Sequence, residues 1–405
     1  MKPIDIAVAG CGVAGLAAAL LLHRDGHRVT LFERFDTPRP VGSGLMIQPT
    51  GFAVLCRLGL AGALLDHGAR VDRLRGEAGP GGRVVLDVRY AALGRGAAFG
   101  VGVHRATLFA LLHDTVAADG VTIETGCCVV GSEAIAGDRR RLWLEDGRRA
   151  GPFDLVVDAL GARSPLAPPC GRLLAYGALW STLDWPPDTG FDPAALEQRY
   201  RRASVMVGVL PTGRRPGGAT RQAAFFWSLR IDQFDRWRAA GLAAWKADVA
   251  ELWPATAPLL DQIHTADQLT PARYAHRTLP SPVAPGLIHL GDAWHSASPQ
   301  LGQGANMALL DAYALARALR GTDEVATALK RAIATRHRHV RLYQALTALF
   351  TPVYQSDGRA LPFLRDHFVG PLSKVWPATW IQAAMVSGLI GDPLGPLDLT
   401  SVDGA

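Results

Sequence analysis

Ile4-Asp5-Ile6-Ala7-Val8-Ala9-Gly10-Cys11-Gly12-Val13-Ala14-Gly15 is the stretch that decides the fold. An apolar run of strand length enters a glycine turn, and Leu16 to Arg24 follows as an Ala/Leu-rich helical segment stopped by Gly26. A GxGxxG pattern arises by chance in a chain with 44 glycines, so its context must carry the reading. Gly10 allows the tight turn, Gly12 lets the backbone approach a pyrophosphate, and Gly15 lets the helix pack close to the strand. Val13 and Ala14 complete the loop and bring the helix N-terminus to the phosphates. Val29-Thr30-Leu31-Phe32 is a second strand. It ends in Glu33, near the spacing expected of the acid that accepts hydrogen bonds from a ribose hydroxyl. These features predict a βαβ dinucleotide-binding unit.

The 405 residues exceed one typical core and predict two domains sharing an interface. The net charge of +6 comes from scattered arginines, with local pairs and triplets such as Arg139-Arg140-Arg141 read as solvated surface. Without basic runs interleaved with aromatics, nucleic-acid binding is disfavoured, whereas an anionic cofactor or substrate suits the excess charge. Five cysteines, with Cys127 and Cys128 adjacent, make no disulfide framework and show no metal-ligand spacing, so no metal is expected and a reducing cytoplasm is the simplest home. Met1 leads directly into the first strand, which predicts no signal or export segment.

Further along, Gly42-Ser43-Gly44-Leu45-Met46-Ile47-Gln48-Pro49 reads as a loop entering a helix over Thr50 to Leu60. Phe153 to Ala159 is a buried parallel-type strand. Strand-like runs at 204–210 and 223–231 precede a helical stretch punctuated by Trp237, Trp245 and Trp253. Leu287 to Leu290 is a short strand ending at Gly291-Asp292, and Gly304 to Arg320 is a strong helix stopped by Gly321. The expected division is a Rossmann-like α/β domain over 1–70, 101–170 and 275–340, an inserted α+β domain with a mainly antiparallel sheet over 71–100 and 171–274, and a C-terminal helical region over 341–405. Within the last, the apolar run from Trp376 to Ile390 is favoured as a packed helix over a tunnel wall or a weak membrane contact.

The ordered set of GxGxxG with Glu33-Arg34, the GxGLxxxP segment at Gly42 to Pro49, His104-Arg105, Gly161-Ala162-Arg163-Ser164, and Gly291-Asp292 with Pro299-Gln300-Leu301-Gly302-Gln303-Gly304-Ala305-Asn306 resembles the class A FAD-dependent flavoprotein monooxygenases, typified by para-hydroxybenzoate hydroxylase. The resemblance covers roughly residues 4 to 320. It implies FAD, with Glu33 on the adenosine ribose, Arg105 near the phosphates or ribityl chain, and Asp292 on the ribityl hydroxyls. Arg34, Gly44, Leu45, Gly302, Gly304, Ala305 and Asn306 would join Gly10 to Gly15 around the cofactor. The helix opened by Gly302 to Gly304 would point its positive end at the reduced flavin. Pro299, Leu301 and Gly302 would border the site of oxygen addition, with His295 as a further catalytic candidate.

The implied reaction is insertion of one atom of O2 into an aromatic or electron-rich apolar small molecule through a flavin C4a-hydroperoxide, with NADPH or NADH as donor. The family places an acid where this chain has Leu160, which puts the hydride donor in doubt; Asp158, two residues earlier, would face the same side and compensate in part. The alternatives are therefore a flavin oxidase or dehydrogenase on the same fold, or a two-component monooxygenase fed by a partner flavin reductase. Phe225, Phe226, Trp227, Trp237, Trp376 and Trp380 would line a cavity or form plain core, the latter favoured. Candidate polar triggers are His104, Tyr274, His276, Arg230 and His295. The sequence leaves monomer and homodimer both open.

Overall fold

The computed structural model describes residues 2–37, 43–79, 81–94, 98–187, 190–370 and 374–399. Gly42, which opens the GxGLxxxP segment, lies outside the described residues.

The first layer is a six-stranded sheet. Strands β1 (Asp5–Ala9), β2 (Arg28–Phe32), β8 (Thr122–Glu124), β12 (Leu155–Asp158) and β19 (Leu287–His289) are parallel, and β18 (Val283–Ala284) joins antiparallel at one edge, in the order β18-β19-β12-β1-β2-β8. Such a sheet is covered on both faces, so its strands are apolar throughout rather than alternating. Ile6 and Val8 pack on helices α1 (Val13–Arg24) and α8 (Gly304–Arg320), while Ala7 and Ala9 face the opposite layer. That layer is a three-stranded antiparallel sheet of β9 (Val129–Ala134), β10 (Arg140–Leu144) and β11 (Arg149–Phe153). The sequence reading did not anticipate it. Only Leu142 and Leu144 of β10 reach the core, and the arginines just before them look like a solvated run.

The second large layer is an eight-stranded sheet in the order β20-β17-β13-β16-β15-β14-β5-β6. Its strands are β5 (Arg73–Ala78), β6 (Arg83–Arg89), β13 (Arg172–Asp184), β14 (Ala195–Arg201), β15 (Val205–Arg214), β16 (Arg221–Arg230), β17 (Thr270–Thr278) and β20 (His295–Ser296). All neighbours are antiparallel except β5 and β14. Alternation along β16 divides the aromatic triplet. Phe225 and Trp227 join the back core with Trp245 and Trp253, carried by or following helices α5 (Phe234–Ala240), α6 (Leu242–Leu252) and α7 (Ala257–Leu260). Phe226 faces the front with Leu210 and Met46. The Trp-punctuated stretch is two helices, broken where Gly241 takes φ +85°.

A small antiparallel sheet, β3 (Gly44–Ile47), β7 (Gly100–His104) and β4 (Ala69–Val71), lies between the two halves. Residues 44–47, expected as loop, are therefore a strand. The sheet crosses the front of β15 and β16 closely: a Cβ on Gly44 would lie 2.5 Å from the Ala224 Cβ, and one on Gly102 would lie 2.0 Å from the Pro211 carbonyl oxygen. Helices α2 (Pro49–Arg57), α3 (Ala61–His67) and α4 (Arg105–Ala118) complete the first half.

The boundary expected at residue 340 falls inside one helix, α9 (Val325–Tyr354), which packs along α8. After it come α10 (Ala360–Leu364), a π-helical turn (Arg365–Val369) and α11 (Ala378–Val386). Ala383, Ala384 and Val386 of α11 pack with Val85 and Val88 of β6, while Trp376 and Trp380 are exposed. The apolar run is thus a packed helix on one side only.

Candidate active site

The C-terminal ends of β1, β2, β12 and β19 open on one edge of the parallel sheet, where α/β proteins bind nucleotides. At β1, Gly10 holds φ +105°, and a Cβ there would lie 2.6 Å from the Ala159 carbonyl oxygen. A Cβ on Gly15 would lie 1.9 Å from the Gly10 carbonyl oxygen. Both glycines are thus required by the turn itself. Gly12 differs: it is exposed and nothing lies within 4 Å of its Cβ direction. At β2, the buried Glu33 accepts the Cys11 N–H at 3.1 Å and the Phe35 N–H at 3.1 Å. One backbone bond to each oxygen fixes the carboxylate beside the glycine loop and leaves lone pairs for hydroxyl donors. Arg34 is exposed, its guanidinium 4.6 Å from the Phe35 ring centre.

At β19, Gly291 adopts φ +55° between Ala14 of α1 and Ala308 of α8. Asp292 follows with its side chain open to the cleft. Desolvation by the surrounding protein raises the Asp292 carboxyl above its ordinary range, with His295 and Arg105 opposing the rise. Arg105 starts α4, and its backbone N–H donates to the Ser43 carbonyl at 2.9 Å. The same arginine acts on Tyr274, whose hydroxyl burial pushes up to about 12. The Tyr274 oxygen accepts the Trp180 indole N–H at 2.9 Å, and both residues are half-buried. Trp180 was not singled out from sequence; its ring centre lies 4.7 Å from that of Phe226.

The Pro299–Asn306 segment closes the cleft. Pro299 and Gly304 are exposed, Leu301 is buried, and Gly302 is half-buried with φ +61°. Asn306 was expected at the cofactor, but its side chain is fully buried. Its Oδ1 accepts the Gln48 N–H at 2.8 Å, and its Nδ2 donates to the Gly302 carbonyl at 2.9 Å and the Met46 carbonyl at 3.2 Å. It therefore staples β3 to the loop. Gly44 likewise owes its identity to packing under Ala224 rather than to the cleft, and Leu45 packs on the first core.

His295, expected among the catalytic residues, is buried, and its Nε2 lies 2.7 Å from Asp311 Oδ2. Asp311 also accepts the Gly291 N–H at 3.1 Å and pairs with Arg336 at 2.9 Å. Arg336 reaches His339, whose Nε2 lies 2.9 Å from the Gly388 carbonyl oxygen. This buried chain links the Asp292 loop to the C-terminal segment and gives His295 a supporting role. Its one sequence signal is an aspartate inside the apolar run Met307 to Ala316.

The remaining polar candidates are also accounted for. His104 caps α4 through Nδ1 and meets Thr182 through Nε2 at 3.0 Å; burial, aided by Arg215, lowers its pKa to about 4. Arg230 is bound to Asp232 and Asp357. His276 lies 3.4 Å from Thr351. The expected compensation by Asp158 does not occur. Asp158 is fully buried, with the Ser164 hydroxyl and His289 Nδ1 each 2.6 Å from Oδ2 and the Leu160 N–H on Oδ1, while Leu160 packs into the apolar layer beside β10.

The residues fit FAD on structural grounds. Neither α1 nor α8 has a side-chain N-cap, and neither has an acid in its first turn. Each presents free N–H groups and an exposed glycine, Gly12 or Gly304, whose Cβ direction is empty. Glu33 and Asp292 add carboxylate acceptors suited to ribose and ribityl hydroxyls.

Residues 3–134 match a family model described as an FAD binding domain. A 3-amino-4-hydroxybenzoate 2-monooxygenase from Streptomyces cremeus is 29% identical over 327 residues, 76% of this chain and 77% of that protein. An FAD-dependent urate hydroxylase from Klebsiella pneumoniae is 28% identical over 356 residues, 84% of this chain and 87% of that protein. Among solved structures, the tetrameric form of 2-methyl-3-hydroxypyridine-5-carboxylic acid oxygenase superposes with a TM-score of 0.78 at 20% identity, covering 97% of this chain and 98% of the other. Motifs, cleft geometry and relatives agree: the chain carries an FAD-binding domain and is similar over most of its length to FAD-dependent monooxygenases.

Proposed function

We propose that this monooxygenase oxygenates an electron-rich aromatic ring held on the front of the eight-stranded sheet, between Trp180, Phe226 and Tyr274. The observation that carries this reading is the Tyr274 hydroxyl. It accepts from Trp180, and no acceptor for its own proton is found among the described residues. A phenol shifted up to about 12 stays protonated at neutral pH and offers one directed donor to a ring oxygen or carbonyl of the substrate. The rings of Trp180 and Phe226 supply a stacking surface. FAD, when bound, supplies the activation of O2 and delivery of one oxygen atom. Glu33, Arg105 and Asp292 would hold the cofactor; the α8 N-terminus would offer backbone N–H groups to its negative charge; Pro299, Leu301 and Gly302 would border the reaction site and exclude water. Relatives named for hydroxybenzoate, urate and hydroxynicotinate support a ring substrate.

The test is product labelling with 18O2 across a panel of hydroxylated and aminated rings, in the native protein and in Tyr274→Phe. One labelled oxygen atom per product, with at least a tenfold lower kcat/KM in the variant and unchanged flavin content, supports the reading; a product without label overturns it.

A second reading concerns the electron source. NADPH or NADH is the donor typical of the family, but the turn after β12 carries Leu160 where the family has an acid, and Asp158 is consumed internally. This favours a separate flavin reductase. Anaerobic bleaching of the flavin by NADPH or NADH alone would overturn it. The relative described as tetrameric supports self-association of the catalytic chain as a further expectation.

A further inference from the structure

Most of the exposed large apolar side chains among the described residues fall between Leu349 and Ile381. Apart from Leu349 on α9, they sit on α10, on the π-helical turn and on the segment that leads into and begins α11; the π-helical turn and α11 both lie against β6. Among them are Phe363, Phe368, Val375, Trp376, Trp380 and Ile381, with Trp376 81% exposed. A soluble surface seldom leaves so many aromatic and aliphatic groups together without an occupant.

The charges around the patch indicate which occupant. Both acids of the 355–386 segment are spent: Asp357 on Arg230 and Tyr176, Asp366 on Arg365. Arg359 and Lys374 are exposed, and no partner for either is found among the described residues. His367 stacks on Phe363 at 4.2 Å between ring centres. An apolar face with tryptophans and an unbalanced cationic rim suits a lipid–water interface bearing anionic headgroups, where indole rings and basic side chains both gain. A second copy fits less well, because a two-fold contact would set this patch against itself and oppose like cations. No helix among the described residues is long and apolar enough to cross a membrane. The contact would therefore be interfacial.

We infer that the surface formed by α10, the π-helical turn and the N-terminal half of α11 docks this enzyme on anionic lipid membranes. The patch adjoins the site: the buried half of α11 leads to Val386, whose carbonyl accepts the Gln303 side chain at 2.6 Å, and to Ser387, whose carbonyl accepts from the Thr50 hydroxyl. An apolar ring compound dissolved in the bilayer would then reach the enzyme without crossing water. The inference does not depend on the aromatic-substrate reading, since it predicts binding to lipid in the absence of any substrate.

The experiment is co-sedimentation of the FAD-loaded protein with sucrose-filled vesicles of phosphatidylcholine, with and without phosphatidylglycerol, at low and high salt, beside light scattering of the protein alone. Variants are Trp376→Ser with Trp380→Ser, and Arg359→Glu with Lys374→Glu; retained flavin absorbance shows that each is folded. The expected result is binding only to phosphatidylglycerol vesicles, weakened by salt, and reduced about tenfold or more by either double variant. Absence of vesicle binding overturns the inference, as does binding indifferent to both variants. A dimer that the serine variant converts to monomer, without vesicle binding, reassigns the patch to a second copy.

Discussion

Helices α1 and α8 present the same face to the cleft: each begins without a side-chain cap at an exposed glycine and aims its N-terminus inward. They are held there by opposite means. The start of α1 is fixed by residues within the motif, through the turn at Gly10, the close packing of Gly15 and the backbone grip on Glu33. The start of α8 is fixed from far away. Asn306 reaches β3, Gln303 reaches Val386, and Asp311 gathers Gly291, His295 and Arg336. A phosphate-binding glycine loop is thus close to self-contained, whereas the second helix terminus is held by its own side chains reaching distant parts of the chain.

The largest effect should come from breaking the local end. Gly15→Val places a branched side chain where even a Cβ would lie 1.9 Å from a carbonyl oxygen, so the βα turn cannot form. Purified variant should hold no flavin, measured by the visible band per protein; a yellow variant with native thermal stability would show that the turn tolerates reshaping. Next, Asp311→Ala leaves Arg336 buried without its carboxylate, a change that costs roughly 3–5 kcal/mol in comparable buried pairs. Urea unfolding should show that loss, and hydrogen exchange should quicken at Gly291 and the α8 N-terminus more than in α1. Equal quickening at both helices would break the contrast.

The smallest effect is one of pH. Burial, aided by Arg336, holds His339 neutral, with its pKa lowered to about 3. In the unfolded chain an ordinary histidine titrates near 6.5. The unfolded state therefore binds the extra proton first, so the stability from neutral His339 is complete above pH 6.5 and is lost as pH falls toward 3. At pH 5.5 the loss is on the order of 1 kcal/mol. Denaturant midpoints between pH 7.5 and 5.5 should show it, and His339→Gln, which keeps a donor for the Gly388 carbonyl, should flatten that slope. An unchanged slope would remove His339 from the account.

The same local–distant division explains what the sequence could convey. β1, the glycine turn, α1 and Glu33 occupy one continuous stretch, so period, turn chemistry and spacing all pointed one way. Gly304 to Arg320 was legible because a helix start, an apolar stripe and Gly321 lie within one window. Asp311 was not, because its partners come from β19, β20 and α9. Asp158 misled for a further reason: alternation placed it beside Leu160, but the strand ends at Asp158 and the chain turns so that its own carboxylate takes the Leu160 N–H. The front of the large sheet was least legible. Trp180, Phe226 and Tyr274 come from three strands, and nothing in their separate neighbourhoods marks them as companions.

The packing of α11 on β6 sets an order of events during synthesis. Val85 and Val88 find their apolar neighbours Ala383, Ala384 and Val386 only after almost three hundred further residues have left the ribosome. Until then the outermost strand of the eight-stranded sheet carries an uncovered greasy face, and a nascent chain stalled before α11 would be a natural client for chaperones and a seed for aggregation. The last helix is in this sense the latch that makes the sheet safe to release.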